Sequence, residues 1–370
     1  MEDFLSDRVG RIDASGIRKV FALGASLKDP INLSIGQPDF DVPDELKEAA
    51  IAAIRGGQNR YSQTAGVCEL VEKVCGLAQA EFGWGGARGL ISSGVSAGLL
   101  LSFMSLINPG DEVIIPDPYF VMYKHLVNLL GGKCVFVDSY PGFELPVDGI
   151  REAVSEKTKL IILNSPGNPT GAVYTAEQVK AVAEIAREKG IIVLSDEIYE
   201  KFSYAGRPPS IGEYYERSLV LRGFGKAYGM PGWRLGYVVC DECLHEVIEA
   251  MTKIQQYTFV CAPTPFQMAA ITALEMDVSG HVADYKVKRD IICDGLGDSF
   301  EIVTPKGAFY VFIKAPDGMS GTEFVAKAIK SNVLIIPGNV FSERDTHFRI
   351  SYATSNEKLR QGVEVLRGLV

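Results

Sequence analysis

Lys159-Leu160-Ile161-Ile162-Leu163-Asn164-Ser165-Pro166-Gly167-Asn168-Pro169-Thr170-Gly171 is the stretch on which the fold turns. Its first part is a continuous apolar run with no polar alternation, which reads as a strand buried on both faces. Its second part is a polar turn rich in Asn, Pro and Gly. Thr175 and Gln178 then have the spacing of a capping box, and apolar residues at 179, 182, 185 and 186 line one helical face up to Gly190. A second continuous apolar run, Ile191-Ile192-Val193-Leu194, follows. Strand, helix, strand with both strands buried predicts a mostly parallel sheet in an α/β domain. Such sheets carry their ligand sites at the carboxyl ends of the strands.

The same rhythm extends outward. Upstream, Leu90-Ile91-Ser92-Ser93-Gly94 reads as strand and turn, 95–107 as a buried helix, 112–116 as a strand, 121–130 as a helix and 134–137 as a strand. Asp148 is placed to cap a helix over 149–155. Helices are expected over 43–55 and 66–82, and an amphipathic stretch over 15–27 precedes Ile31-Asn32-Leu33-Ser34-Ile35-Gly36-Gln37-Pro38. Downstream of residue 285 the texture changes. A charged helix starts at 286, strands are expected over 308–313, 333–336 and 347–352, and helices over 322–331 and 356–369. This predicts an α/β architecture with a smaller α+β domain. The expected division is a large domain over 42–284 and a small domain made of 1–41 together with 285–370. No internal repeat is visible.

Composition narrows the function. A 370-residue chain with 47% hydrophobic and 22% charged residues reads as a globular enzyme. The net charge of −9 argues against nucleic acid as a partner. No apolar run is long enough for a membrane span, and Met1-Glu2-Asp3-Phe4-Leu5 lacks the features of a secretory signal. The seven cysteines read as reduced thiols of a cytoplasmic protein. Cys240-Asp241-Glu242-Cys243 has no second pair at ligand spacing, and the four histidines form no HxxxH or HxH, so no metal site is expected.

The chemistry collects at predicted strand ends. One strand runs into Asn168, the next into Ser195-Asp196-Glu197-Ile198-Tyr199. A third, Leu219-Val220-Leu221-Arg222, runs into Gly223-Phe224-Gly225-Lys226-Ala227-Tyr228-Gly229-Met230-Pro231-Gly232-Trp233-Arg234-Leu235-Gly236-Tyr237. That loop is not a Walker P-loop, because Val220 stands where the first glycine is needed and Ala227 follows the lysine. It is not a dinucleotide fingerprint either, since the third glycine comes one residue late. Taken singly, Lys226 is a solvated loop lysine, Asn168 a turn residue, Asp196 a helix cap and Tyr199 a half-buried aromatic. Their coincidence on adjacent loops of one sheet edge is what singles them out.

Four motifs in this order resemble those of the class I/II aminotransferases, the aspartate-aminotransferase-like enzymes of fold type I that use pyridoxal 5′-phosphate. They are Asn164 to Gly171, Ser195 to Tyr199, Gly225-Lys226 to Gly236, and Phe348-Arg349-Ile350-Ser351-Tyr352. The resemblance runs from Ser15-Gly16-Ile17-Arg18 to the last helix. It implies that Lys226 forms a Schiff base with the cofactor and carries the proton between substrate and cofactor. It implies that Asp196 pairs with the pyridine nitrogen, that Asn168 and Tyr199 bond the phenolic oxygen, and that Phe120 stacks on the ring. Arg234 and the turn at Gly94, Val95 and Ser96 are expected to hold the phosphate. Arg349 is expected to clamp the substrate α-carboxylate, with Asn168 and Gly36 beside the substrate.

Tyr61 is expected to reach the phosphate of a neighbouring subunit, which implies a homodimer with shared active sites. The implied reaction moves an amino group from an L-α-amino acid to a 2-oxo acid, with 2-oxoglutarate the expected acceptor. The same fold also serves C–S β-lyases and pyridoxal-phosphate-binding regulators, although no DNA-binding segment is visible here. Two departures stand out. Gly223 and Gly225 replace serines common in relatives, which shifts phosphate binding toward Arg234, the helix start and Tyr61. No arginine for a substrate side-chain carboxylate is identified, and Ile17, Tyr257 and Phe259 suggest a mostly apolar pocket.

Overall fold

The computed structural model describes residues 4–14, 16–17, 20 and 27–370. Most of the amphipathic stretch expected over 15–27 lies outside these residues. From the amino terminus the elements are β1 (Ile31–Asn32), α1 (Asp44–Arg55), α2 (Cys68–Phe82), β2 (Ala87–Ser92) and α3 (Val95–Leu106). Then come β3 (Glu112–Asp117), α4 (Met122–Leu130), β4 (Lys133–Asp138), α5 (Val147–Ala153) and β5 (Thr158–Asn164). The chain continues through α6 (Ala176–Lys189), β6 (Ile192–Asp196), β7 (Ser218–Gly223), β8 (Gly236–Asp241), α7 (His245–Gln256) and α8 (Thr264–Ala273). It closes with α9 (Ser279–Leu296), β9 (Tyr310–Lys314), α10 (Gly321–Lys330), β10 (Val333–Leu334), β11 (Ile336–Pro337), β12 (His347–Ser351) and α11 (Asn356–Arg367).

Strands β2 to β8 form a seven-stranded sheet in the order β2-β8-β7-β6-β5-β3-β4. All its neighbours are parallel except the pairs made by β8, which runs against both β2 and β7. The apolar run of β5 explains why the sheet is a central layer. Ile161 and Leu163 face one buried cluster with Val193, Val220 and α6, while Leu160 and Ile162 face another with Leu194, Leu219 and α3. Each of these side chains contributes roughly 1.5–3 kcal/mol by leaving water, so the strand is held from both sides. The capping box at Thr175 and Gln178 forms as its spacing predicts.

Residues 310–351 build a separate three-stranded antiparallel sheet, β11-β12-β9, and β1 pairs in parallel with β10. Several expectations are corrected here. The strand expected over 333–336 is two short strands in different sheets. The charged helix begins at Ser279 instead of 286, and the helix near 149 begins at Val147 with Pro146 at its cap, leaving Asp148 in the first turn. Helices α7 and α8, not read from the sequence, pack on the sheet and on α1 respectively.

The strand ends are locked by a buried ion network. Glu197 Oε1 accepts from Ser195 Oγ at 2.9 Å and Ser210 Oγ at 2.6 Å, and its Oε2 accepts from Arg222 Nε at 3.0 Å and Nη2 at 2.8 Å. Arg222 also bonds Glu81 on α2 at 2.6 and 2.7 Å. Glu197 directly follows Asp196, so this anchor fixes the end of β6. Removing one partner from such a network strands a buried charge. Glu197→Ala should therefore lower the unfolding free energy by about 3 kcal/mol or more, read from chemical denaturation of the cofactor-free protein.

Candidate active site

Parallel register brings the first groups together. Asn164 at the end of β5 lies directly across from Asp196 at the end of β6. The Asn164 side chain ties the corner: its Nδ2 donates to the Asp196 carbonyl at 2.8 Å, and its Oδ1 accepts from the Asn168 backbone N–H at 2.9 Å. Asn168 and Asp196 are thereby held on neighbouring strand ends. Both open into a cavity of about 270 Å³ that is also lined by Gly36, Gly94, Val95, Ser96, Phe120, Tyr199, Lys226, Arg234 and Arg349. The cavity thus unites every expected site residue except Tyr61, which is 83% exposed. Ile17 lines it too, whereas Tyr257 and Phe259 lie on the surface outside it.

Asp196 is buried, and loss of hydration pushes its carboxyl up to about 6. Two donors oppose that shift, the Tyr123 hydroxyl on Oδ2 at 2.8 Å and the Ile198 N–H on Oδ1 at 3.2 Å. Tyr123 is a residue that sequence reading missed. It lies three positions after Phe120, whose ring meets it edge-on at 5.7 Å. Phe120 precedes α4, so no helical period in the sequence marks Tyr123, whose bond to Asp196 spans 73 residues.

Lys226 follows β7 and points inward. Its Nζ donates to the Gly36 carbonyl at 2.5 Å. Desolvation, with a smaller push from the Arg349 charge, brings its ammonium down to about 8, so the neutral amine is within reach near physiological pH. Arg349, on β12, is almost fully buried. It donates from Nη1 to Asn168 Oδ1 at 2.9 Å and from Nη2 to the Ser34 carbonyl at 2.7 Å, while its Nε has no partner among the described residues. A buried guanidinium with a free donor is built to receive an acceptor, and a carboxylate matches its fork. Tyr310, also missed in the sequence, stacks on this guanidinium at 4.4 Å and meets the Tyr199 hydroxyl at 2.8 Å.

The far end of the cavity suits an anion. Gly94 has φ +77° and opens α3, and a Cβ there would lie 2.7 Å from Arg234 Nη2. Glycine therefore lets the guanidinium close over the first turn of the helix, where backbone N–H groups are unpaired by helix geometry. The two glycines at which the resemblance implies serine differ in the space around them. A Cβ at Gly223 would come within 2.9 Å of Val95 Cγ2, 3.1 Å of Ile198 Cδ1 and 3.2 Å of Gly236 Cα. A Cβ at Gly225 meets nothing closer than Pro231 Cα at 3.5 Å. Among the described residues no group of three or more His, Cys, Asp or Glu side chains is arranged to hold a metal ion, and both cysteines of the CxxC are free thiols.

Comparison with known proteins gives one consistent answer. Residues 28–366 match the family model described as aminotransferase class I and II. The chain is 38% identical to a probable aspartate aminotransferase of Methanocaldococcus jannaschii, covering 98% of this chain and 99% of that one. It is 36% identical to aromatic-amino-acid aminotransferase 2 of Thermococcus litoralis over 97% of this chain and 96% of that one. The structure of Thermus thermophilus aspartate aminotransferase with maleate superposes with a TM-score of 0.93 at 34% identity, covering 99% of both chains.

Two outcomes test the site geometry. In the cofactor-free protein the Asp196 carboxyl should titrate near pH 6, and Tyr123→Phe should move that midpoint upward, because it removes a bond to the ionised form; the carboxylate infrared band reports both. Gly225→Ser should leave the melting temperature within a degree or so of the parent, whereas Gly223→Ser should cost about 1–3 kcal/mol through overpacking.

Proposed function

The chain belongs to the class I and II aminotransferase family, and from that premise we propose how its residues divide the work and which substrates they take. Its reaction is the pyridoxal 5′-phosphate-dependent transfer of an amino group. The cofactor supplies an electron sink for the pair left when the substrate Cα loses its proton. The cavity fits it, with a carboxylate, a lysine of lowered basicity and a helix start closed by an arginine lying around one space.

The observation that carries the assignment is the convergence of Lys226, Asp196, Asn168 and Arg349 on that single cavity. Lys226 anchors the cofactor and moves the proton at the substrate Cα through its Nζ. Asp196 keeps the ring nitrogen protonated, and Tyr123 keeps Asp196 ionised and oriented. Asn168 and Tyr199 bond the phenolic oxygen. Phe120 covers the ring face. Arg234, Ser96 and the backbone of Gly94 and Val95 hold the phosphate. Arg349 takes the α-carboxylate, beside Gly36.

A second cavity of about 620 Å³ shares Ile17, Gly36 and Phe120 with the first and continues past Ile12, Ile35 and Met122. Its described lining has no lysine or arginine, and burial lowers the basicity of His125, the one histidine there. Apart from Asp13 and Gln37 this lining is mostly apolar and supports a donor with an apolar or aromatic side chain; 2-oxoglutarate is proposed as acceptor from the family resemblance, not from this lining.

The chain works as a homodimer with shared sites, in which the exposed Tyr61 serves the phosphate of a second copy. Its division is a large domain over 42–284 and a small one made of 1–41 with 285–370; the seven-stranded sheet, confined to 87–241, supports this. We place the protein in the cytoplasm with small molecules as its ligands, and neither nucleic acid nor membrane as partner. The net charge of −9 argues against a nucleic-acid partner, and no described helix is long and apolar enough to cross a membrane.

Lys226→Ala should abolish the visible absorption of the bound cofactor and nearly all turnover; retained activity overturns the assignment. With the parent enzyme, phenylalanine or leucine alone should bleach the visible band. Their kcat/KM with 2-oxoglutarate should exceed that of aspartate by at least about tenfold. Pyruvate release from cystathionine without an oxo acid would point instead to a lyase.

A further inference from the structure

Tyr199 and Tyr310 bring two hydroxyls to 2.8 Å in a buried setting, and this pair is not explained by the roles above. Tyr199 follows β6 of the seven-stranded sheet, and Tyr310 opens β9 of the small antiparallel sheet, opposite Ser351. Each hydroxyl has one proton to donate, and among the described residues the only hydrogen bond of either is the one they share. Without a further acceptor, either oxygen can be the donor.

An anionic oxygen next to Tyr199 removes that freedom. Tyr199 then donates its hydrogen bond to the anion, and only Tyr310 can donate to the Tyr199 oxygen. The pair becomes a one-way relay. Donation into a hydroxyl oxygen polarises its O–H bond and strengthens its outgoing hydrogen bond. Tyr310 is held well enough to act this way. Its ring lies edge-on to Tyr199 at 5.7 Å and stacks on the Arg349 guanidinium. A Cβ at position 36 would stand 2.3 Å from its hydroxyl oxygen, so Gly36 is what leaves room for that oxygen. Burial keeps both hydroxyls protonated across the working pH range.

We infer that Tyr310 is a positioning residue whose hydroxyl donates to Tyr199 and so tunes the cofactor's phenolic oxygen and the basicity of the neighbouring nitrogen held by Lys226. This rests on the reading that Tyr199 faces that oxygen. The direction follows from charge. A stronger donor draws negative charge from the phenolic oxygen, which then holds the adjacent proton less tightly. Loss of the Tyr310 hydroxyl restores that charge and makes the nitrogen more basic.

The experiment is a spectroscopic pH titration of the holoenzyme's visible band in the parent, Y310F, Y199F and the double variant. Phenylalanine preserves the ring on Arg349, so Y310F should keep the donor KM within about twofold, as expected when the substrate clamp is untouched. The band's midpoint should rise by a few tenths of a pH unit in Y310F, on the order of a twofold gain in proton affinity. Y199F should raise it further, and Y310F should add nothing in the Y199F background. An unmoved midpoint in Y310F alongside a shifted Y199F overturns the relay. So does an equal Y310F shift with and without Tyr199. An unmoved midpoint in Y199F instead removes the underlying reading of Tyr199, and the inference with it.

Discussion

The parallel register between β5 and β6 is the constraint on which the site depends. It sets Asn164 across from Asp196, and one asparagine side chain then bonds both the Asp196 carbonyl and the Asn168 amide. A slip of one residue would turn every side chain of the strand to the opposite face. It would exchange the two apolar clusters and carry the polar ends away from the cavity. Register here is secured by burial on both faces, so the forces that stabilise the sheet are the same forces that aim its chemistry.

Charge balance follows from that frame. The cavity gathers three cations, Lys226, Arg234 and Arg349, against one carboxylate, Asp196. Burial makes each charged form of Lys226, Asp196 and Arg349 costly, which draws the lysine down and the aspartate up. An excess of positive charge around a partly enclosed cavity favours ligands that bring anions of their own. A phosphate at the helix start and a carboxylate at Arg349 complete such a balance. The neighbouring Glu197 network performs the opposite task, since its hydrogen bonds are satisfied internally and it only holds the strand ends still.

Much of this was legible in the sequence, and the limits have physical causes. Continuous apolar runs at 160–163 and 191–194 marked strands buried on both faces, and polar residues after them marked the site. Tyr123 and Tyr310 stayed hidden because their value lies in contacts across 73 and 111 residues of chain, to Asp196 and Tyr199, which no local period encodes. The run 333–336 looked like one strand because composition does not reveal that Ile335 passes between two sheets. Tyr61 is the one expected site residue outside the cavity, because the role the resemblance implies for it lies in a second copy; in the single chain it is exposed.

The paired glycines Gly223 and Gly236, which face each other across β7 and β8, limit what can replace them. A hydroxyl at 223 is close to glycine in chemical terms but sterically remote, because Val95 and Ile198 have filled the space it would need. A side chain there calls for accompanying change at Val95 or Ile198, so its effect would not add independently to theirs. The side chains packed around β7 and β8 therefore decide which residues this loop accepts: Val95 and Ile198 reserve position 223 for a residue without a side chain.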